Sequence, residues 1–308
     1  PKPGEVGYDT WPKDAWKYAG GANCWGGLSV DTKRGLVIFG TGSPTYDFYG
    51  ADRKGKNLFG NSIVALDAAT GKYVWHFQTI HHDLWDYDLP APPNLLTVTM
   101  NGKKIDAVAQ TSKIGFLYVL DRQTGEPLFP VEERPVPASD VPGEEVWPTQ
   151  PFPLKPAPYA RQQMTVDDLF DHDSTSRDSL VKVFKSLRYE GLFTPPSLRG
   201  TLNLPGTIGG SEWGGAAVDP ASGVIYLKSN ESPEISQLQK IEETTPSNAQ
   251  SGYDAGKTLY TNYCASCHKA DKSGDEPLYP SLIGVKERMN EQQVLTKIRD
   301  GGGKMPPF

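Results

Sequence analysis

Short apolar runs, bracketed by turn residues, dominate residues 1–228. Leu36-Val37-Ile38-Phe39 and Val224-Ile225-Tyr226-Leu227 are four-residue examples set between glycine and polar positions, and they predict buried strands rather than helices. The runs recur. Trp25-Gly26-Gly27-Leu28-Ser29-Val30-Asp31 returns as Trp213-Gly214-Gly215-Ala216-Ala217-Val218-Asp219, and both copies reach a glycine at the same offset, Gly35 and Gly223, before the next strand. A second pair is Leu66-Asp67-Ala68-Ala69-Thr70-Gly71 and Leu120-Asp121-Arg122-Gln123-Thr124-Gly125, followed at matching places by Trp75 and Phe129. Each reads as strand, Asp-x-x-Thr-Gly turn, strand. One such turn is an ordinary hairpin signal. Two repeating pairs together predict the blades of a β-propeller.

Three stretches break this rhythm. Residues 126–160 are dense in proline, from Pro127 to Pro158, and read as an extended surface excursion rather than a blade. Thr165 to Glu190 reads as a short amphipathic helical insert, with Thr165 as N-cap and Asp167 and Asp168 in the first turn. Residues 229–252 are polar and irregular and read as a linker. From Tyr253 onward the periodicity turns helical, so a second, small domain is expected over 253–308.

Composition agrees with a mainly β body rich in turns: the 308 residues include 32 glycines and 27 prolines. Thirty-one Lys+Arg against 37 Asp+Glu gives a net charge of -6, and with no basic tract this argues against nucleic acid as a partner. No apolar run approaches the roughly 18 residues that a membrane-spanning helix requires.

Of three cysteines, two lie in Cys264-Ala265-Ser266-Cys267-His268, the spacing of a c-type haem attachment site. Two thioethers and an axial nitrogen then come from about one and a half helical turns. Zinc or a redox pair uses Cys-x-x-Cys too, but zinc needs further ligands, and the nearest other histidine is His172. Cys24 stands alone and reads as an inert buried thiol. Gly256, Leu259 and Tyr260 form one face of a helix before the motif. Pro280-Ser281-Leu282-Ile283-Gly284 follows as a loop, Glu291 to Arg299 as a helix, and then comes Gly301-Gly302-Gly303-Lys304-Met305-Pro306-Pro307-Phe308. This order resembles class I cytochrome c domains, and the resemblance implies His268 and Met305 as the two axial iron ligands. The family continues into a final helix, so the resemblance implies a truncated all-α domain whose C-terminus is loosely packed and free of haem.

Several blocks in the larger region resemble quinoprotein dehydrogenases that use pyrroloquinoline quinone (PQQ), of the glucose and alcohol dehydrogenase type. They are Gly20-Gly21-Ala22-Asn23-Cys24-Trp25-Gly26, Phe39-Gly40-Thr41-Gly42-Ser43-Pro44, the run from Ile63 through Gly71 and Trp75 into His81-His82-Asp83-Leu84-Trp85-Asp86-Tyr87-Asp88-Leu89-Pro90, and Lys113-Ile114-Gly115-Phe116-Leu117-Tyr118-Val119-Leu120-Asp121-Arg122. The resemblance implies an eight-bladed β-propeller with PQQ on its axis. It implies that Trp25 floors the quinone and that Lys113 bonds its ortho-quinone oxygens. Asp52 is the candidate general base, with Asp47 the alternative, and Glu212 and Trp213 of the second Trp-Gly-Gly copy face the cofactor. Ser43 falls where relatives place an asparagine ligand for Ca²⁺, which weakens its claim to that metal. Without the resemblance, Trp25 reads as core, Asp52 as a solvated loop residue and Lys113 as a surface charge. The His81–Asp86 run reads as a structural turn that pins blades together, and Trp75 as a blade-docking tryptophan.

An eight-bladed propeller of this kind needs on the order of 450 residues, so the chain is expected to be a fragment holding part of the propeller. The implied function is oxidation of a glucose-like aldose or an alcohol, with electrons passing from PQQ to haem c and on to an external acceptor such as a quinone, a soluble cytochrome or a copper protein. The resemblance also implies a periplasmic or otherwise extracytoplasmic location. The alternative is a non-enzymatic electron-transfer or binding protein with a degenerate propeller.

Overall fold

The first repeat folds into a hairpin. Leu28–Asp31 (β1) runs antiparallel to Leu36–Gly40 (β2), with Leu28 opposite Phe39 and Asp31 opposite Leu36. Gly35 at the turn has φ +65°, a backbone state that suits glycine. Ser62–Asp67 (β3) and Tyr73–Gln78 (β4) complete a four-stranded sheet in the order β1-β2-β3-β4. The second sheet is a meander of Asn94–Met100 (β5), Lys103–Thr111 (β6) and Leu117–Asp121 (β7). The later Trp-Gly-Gly copy gives Ala216–Asp219 (β11) and Val224–Leu227 (β12), paired in the same register as the first copy, Ala216 opposite Leu227. Two further hairpin-like pairs are Val131–Pro135 (β8) with Thr149–Pro153 (β9), and Thr201–Asn203 (β10) with Glu234–Ser236 (β13).

This is a computed structural model that describes residues 1–240, 252–303 and 305–307, and the chain divides into the units Pro1–Leu238 and Gln239–Phe308. Among the described residues of the first unit there are five sheets of propeller type, and they do not close into a barrel. Strands β1, β5 and β11 lie side by side. The Ser29 hydroxyl donates to the Pro93 carbonyl at 2.5 Å, and the Asn94 amide donates to the Ala216 carbonyl at 2.9 Å. Trp75 docks the first sheet on the second. Its indole N–H donates to the Arg122 carbonyl at 3.2 Å, and a Cβ on Gly125 would fall 2.6 Å from the ring, so this turn accepts only glycine beneath the indole. The core between the sheets centres on Ile38, Ile63, Trp85, Tyr87, Phe116 and Tyr118, all at most 2% exposed.

Three expectations change. The proline-rich stretch is not merely an excursion: β8 and β9 pair from Val131 opposite Pro153 to Pro135 opposite Thr149. They form an isolated two-stranded ribbon, in which each proline's missing N–H can face away from the partner strand. Thr165 does cap, through a reciprocal bond with Asp168, but it caps only the single 3₁₀ turn Val166–Asp168. The helix proper, Ser174–Ser186 (α1), is capped by Asp173. Of the expected linker, Glu234–Ser236 belongs to a sheet, and residues 241–251 lie outside the described residues.

In the second unit Gly252–Leu259 (α2) continues through a π-helical turn, Tyr260–Cys264, into Ala265–His268 (α3). Val285–Arg288 (α4) and Glu291–Asp300 (α5) follow, and α5 opens on a capping box between Asn290 and Gln293. Among the described residues no helix is long and apolar enough to cross a membrane.

Candidate functional sites

In the first unit the site grows from the turn His81–Leu89. Its apolar positions bury Leu84, Trp85, Tyr87 and Leu89, none more than 2% exposed. The Trp85 indole N–H donates to the Thr194 carbonyl and the Tyr87 hydroxyl to the Pro205 carbonyl, at 2.8 and 2.7 Å. Asp83 anchors the turn from below. Its fully buried carboxylate accepts the Trp85 and Tyr87 N–H groups, both at 2.8 Å, together with the Asn61 amide and the Ser43 hydroxyl. His82 and Asp86 hold positive φ, +48° and +59°. The histidines serve structure: His81 bridges Gln78 and Glu133, and His82 bridges the Gly55 carbonyl and Glu144.

With the turn so fixed, Asp86 and Asp88 both meet Lys113, whose Nζ lies 3.0 Å from Asp86 Oδ2 and 3.4 Å from Asp88 Oδ2. Glu212 reaches the same ammonium at 3.9 Å. Lys113 is held from behind by the Gly209-Gly210 turn, where a Cβ on Gly209 would fall 2.5 Å from the lysine Cβ. The Lys113 ammonium sits 5.8 Å from the centre of the Trp25 ring, and the Trp25 indole N–H donates to Asp88 Oδ2 at 3.0 Å. Trp25 is placed by its glycines. Gly26 packs so closely on Pro90 that a Cβ would sit 2.4 Å from that carbonyl carbon. The ring itself is 43% exposed, which leaves an open aromatic face beside one cation and several carboxylates.

The electrostatics follow from crowding. Burial pushes the Asp86 carboxyl up to about 7; Lys113 opposes this and Asp88 adds to it. Burial also raises Asp47, with help from the charges of Asp83 and Asp88. Burial pulls Lys113 down, but Asp88 and Asp86 outweigh it and leave the ammonium above its usual value.

The structure thus brings Trp25, Lys113 and Glu212 together. Trp213 is 75% exposed, and Glu212 is the member of that pair that reaches the cluster. Asp52 lies outside it: the residue is exposed, and its backbone carbonyl accepts the Tyr18 hydroxyl at 3.0 Å. The alternative Asp47 lies within electrostatic reach of Asp83, Asp88 and Lys113. Ser43 is buried, and its hydroxyl is engaged by Asp83, so ligating a cation would break that bond. Among the described residues no group of three or more His, Cys, Asp or Glu side chains is arranged to hold a metal ion. The described residues therefore do not fit a Ca²⁺ site by themselves. Cys24 is exposed rather than buried, and its thiol donates to the Gly27 carbonyl at 3.4 Å. Sequence reasoning missed Asp86 and Asp88. The signal was the density of acidic groups in the His81–Asp88 run, which reads as structural because its neighbours are.

In the second unit a cavity of about 320 Å³ is lined by Cys264, Cys267, His268 and Met305, with Tyr263, Leu278 and Pro280 among its walls. The His268 Nδ1–H donates to the Pro280 carbonyl at 2.9 Å, which fixes the tautomer and leaves Nε2 as the free lone pair. Both thiols, one imidazole nitrogen and one thioether facing a single mostly apolar cavity fit a haem c.

Comparison with known proteins places both regions in families. A family model described as glucose/ethanol/alcohol dehydrogenase, beta-propeller domain, matches residues 2–278, and one described as cytochrome C oxidase, cbb3-type, subunit III, matches residues 251–308. The chain is 41% identical to the quinoprotein glucose dehydrogenase of Escherichia coli over 70% of its own length and 27% of that protein's. It is 39% identical to quinoprotein glucose dehydrogenase A of Acinetobacter calcoaceticus over 86% of itself and 32% of that protein. The solved quinohemoprotein alcohol dehydrogenase ADHIIG of Pseudomonas putida superposes with a TM-score of 0.52 at 24% identity, over 80% of this chain and 32% of that one, a likeness of fold. The chain therefore spans about a third or less of these relatives. It belongs to the PQQ-dependent glucose/ethanol/alcohol dehydrogenase β-propeller family and carries a cytochrome c domain of the cbb3 subunit III type.

Proposed function

We propose that the protein to which this chain belongs is a PQQ-dependent dehydrogenase of aldose sugars or alcohols that delivers electrons to a covalently held haem c and then to an external acceptor, outside the cytoplasm. In this reading residues 1–228 are the propeller segment, 229–252 the connection and 253–308 the cytochrome domain. The observation that carries it is the meeting of an open Trp25 face with Lys113, Asp86 and Asp88, contributed by three separate stretches of chain. Relatives named for glucose, quinate and glycerol favour a polyhydroxylated substrate.

PQQ, when bound, supplies the two-electron acceptor for alcohol or aldose oxidation. Trp25 offers a flat surface against which a planar ring stacks. Lys113 would hold PQQ beside the Trp25 face and supply positive charge there. Asp86, rather than Asp52, takes the substrate hydroxyl proton at a carboxylate oxygen. Its raised proton affinity matches a general base that works near neutral pH. In the second unit Cys264 and Cys267 would hold a haem c through thioethers, and His268 Nε2 and Met305 Sδ would supply its iron ligands.

The test is the absorption spectrum of the haem, with PQQ and Ca²⁺ present, before and after adding sugars and alcohols one at a time. Reduced haem bands that appear with one substrate class establish the route and name the class. Bands that answer to dithionite alone, with every substrate silent, overturn the dehydrogenase reading in favour of an electron carrier fed by another protein.

A further inference from the structure

We infer that Asp88 is a positioning residue that locks the Trp25 indole and the Lys113 ammonium into one rigid unit, an inference that deepens the PQQ reading and rests on it for its catalytic consequence. The geometry is that of a three-way tie. Asp88 Oδ2 accepts the Trp25 indole N–H at 3.0 Å and the Lys113 ammonium at 3.4 Å. Asp88 Oδ1 accepts the Ser43 N–H at 2.5 Å, and the Asp88 carbonyl accepts the Lys113 N–H at 3.2 Å. One side chain, 10% exposed, therefore joins the segment before β1, the loop after β2 and the loop after β6. Gly42 makes the room: a Cβ there would lie 2.9 Å from Asp88 Oδ1 and 3.1 Å from the Trp25 indole nitrogen.

The tie matters because Trp25 is 43% exposed, so packing restrains its indole on one side only. A charge-assisted bond to a buried acceptor supplies the missing restraint. The same carboxylate shares Lys113 with Asp86. With the Asp88 charge gone, Lys113 pairs more closely with Asp86, Glu212 being the more distant partner at 3.9 Å, and Asp86 becomes a weaker base. The groups facing Asp86 are Lys113 after β6, Glu212 before β11 by way of Lys113, and Asp83 and Asp88 on its own turn; Asp47, in the loop after β2, acts on Asp83, Asp88 and Lys113 instead. Of these, Asp88 is the carboxylate that also binds the aromatic floor.

The experiment reads the indole directly and needs no turnover. In the full chain labelled with ¹⁵N-tryptophan, the Trp25 indole resonance is identified by its loss in Trp25→Phe. In Asp88→Ala its N–H exchanges with solvent about tenfold faster than in the wild type, the scale of one lost charge-assisted bond. Asp88→Asn preserves volume should the alanine variant unfold. In it the Trp25 resonance moves upfield, because a neutral oxygen replaces a carboxylate, while the other six indole resonances stay in place. With PQQ bound, Asp88→Asn also moves the acidic midpoint of the pH–rate profile below that of the wild type. Unchanged Trp25 exchange and shift in both folded variants overturns the inference. Wild-type protein that fails to bind PQQ, while its indole still answers to Asp88, sinks the quinone reading and supports the tie.

Discussion

The two sites are built in opposite ways. The haem cavity draws three of its four key groups from one five-residue run, Cys264 to His268, and the fourth from Met305. The quinone-type site draws Trp25, Asp86, Asp88, Lys113 and Glu212 from segments far apart in sequence, and depends on every intervening strand being in register. A locally encoded site survives damage elsewhere and fails at its own residues. A distributed site fails whenever the scaffold does.

The largest expected effect falls on the local site. Replacing Cys264 and Cys267 with alanine abolishes covalent haem, read as loss of haem signal from the denatured chain, while the Trp25 indole resonance in the first unit stays where it is. If that resonance moves, the two sites are coupled and the comparison breaks. Next, Asp86→Asn lowers substrate-dependent haem reduction about 10²- to 10⁴-fold, the usual weight of a general base. In the wild type this rate rises with pH through about 7, because the working form of Asp86 is the deprotonated one and burial has raised its proton affinity. A rate that is flat from pH 5 to 8 removes Asp86 from that role. Lys113→Met lowers the same rate by roughly 10²- to 10³-fold, with dithionite reduction of the haem unchanged. Trp85→Ala removes the buried indole beneath the turn that carries Asp86; it destabilises the first unit by about 3–5 kcal/mol, measured by urea unfolding, and disperses the distributed site with it. The haem absorption spectrum is expected to hold. Smallest of all, Asp52→Asn changes the rate by less than about twofold, since an exposed loop carboxylate outside the cluster has little to act on. A large loss there returns the base to Asp52.

The same contrast explains what could be read early. The strand hairpins were legible because β1–β2 and β11–β12 repeat one pattern, Trp-Gly-Gly, strand, Asp, Gly, strand, and pair in one register. Trp75 was legible as a docking residue because its partner turn, Asp121–Gly125, is itself a repeat of Asp67–Gly71. The place of Asp86, the proposed base, was not legible. Asp86 lies in a turn whose buried Leu84, Trp85 and Tyr87 make it read as scaffold, and nothing local says that its carboxylate turns toward a lysine 27 positions on. The exposure of Asp52 and Cys24 was not legible for the converse reason: each sits in a segment outside the strands, where local pattern carries no information about exposure.

By itself, then, the sequence determined what depends on neighbours along the chain: the period of the strands, the turns that need glycine, and the Cys-x-x-Cys-His spacing that offers two thiols and an imidazole to one face of a helix. Only the tertiary structure decided which carboxylates are buried, which one is shared between Trp25 and Lys113, and which stands free in solvent. Burial and charge pairing are properties of through-space distance. That distance is set by how sheets pack on one another, not by the order of residues within any one of them.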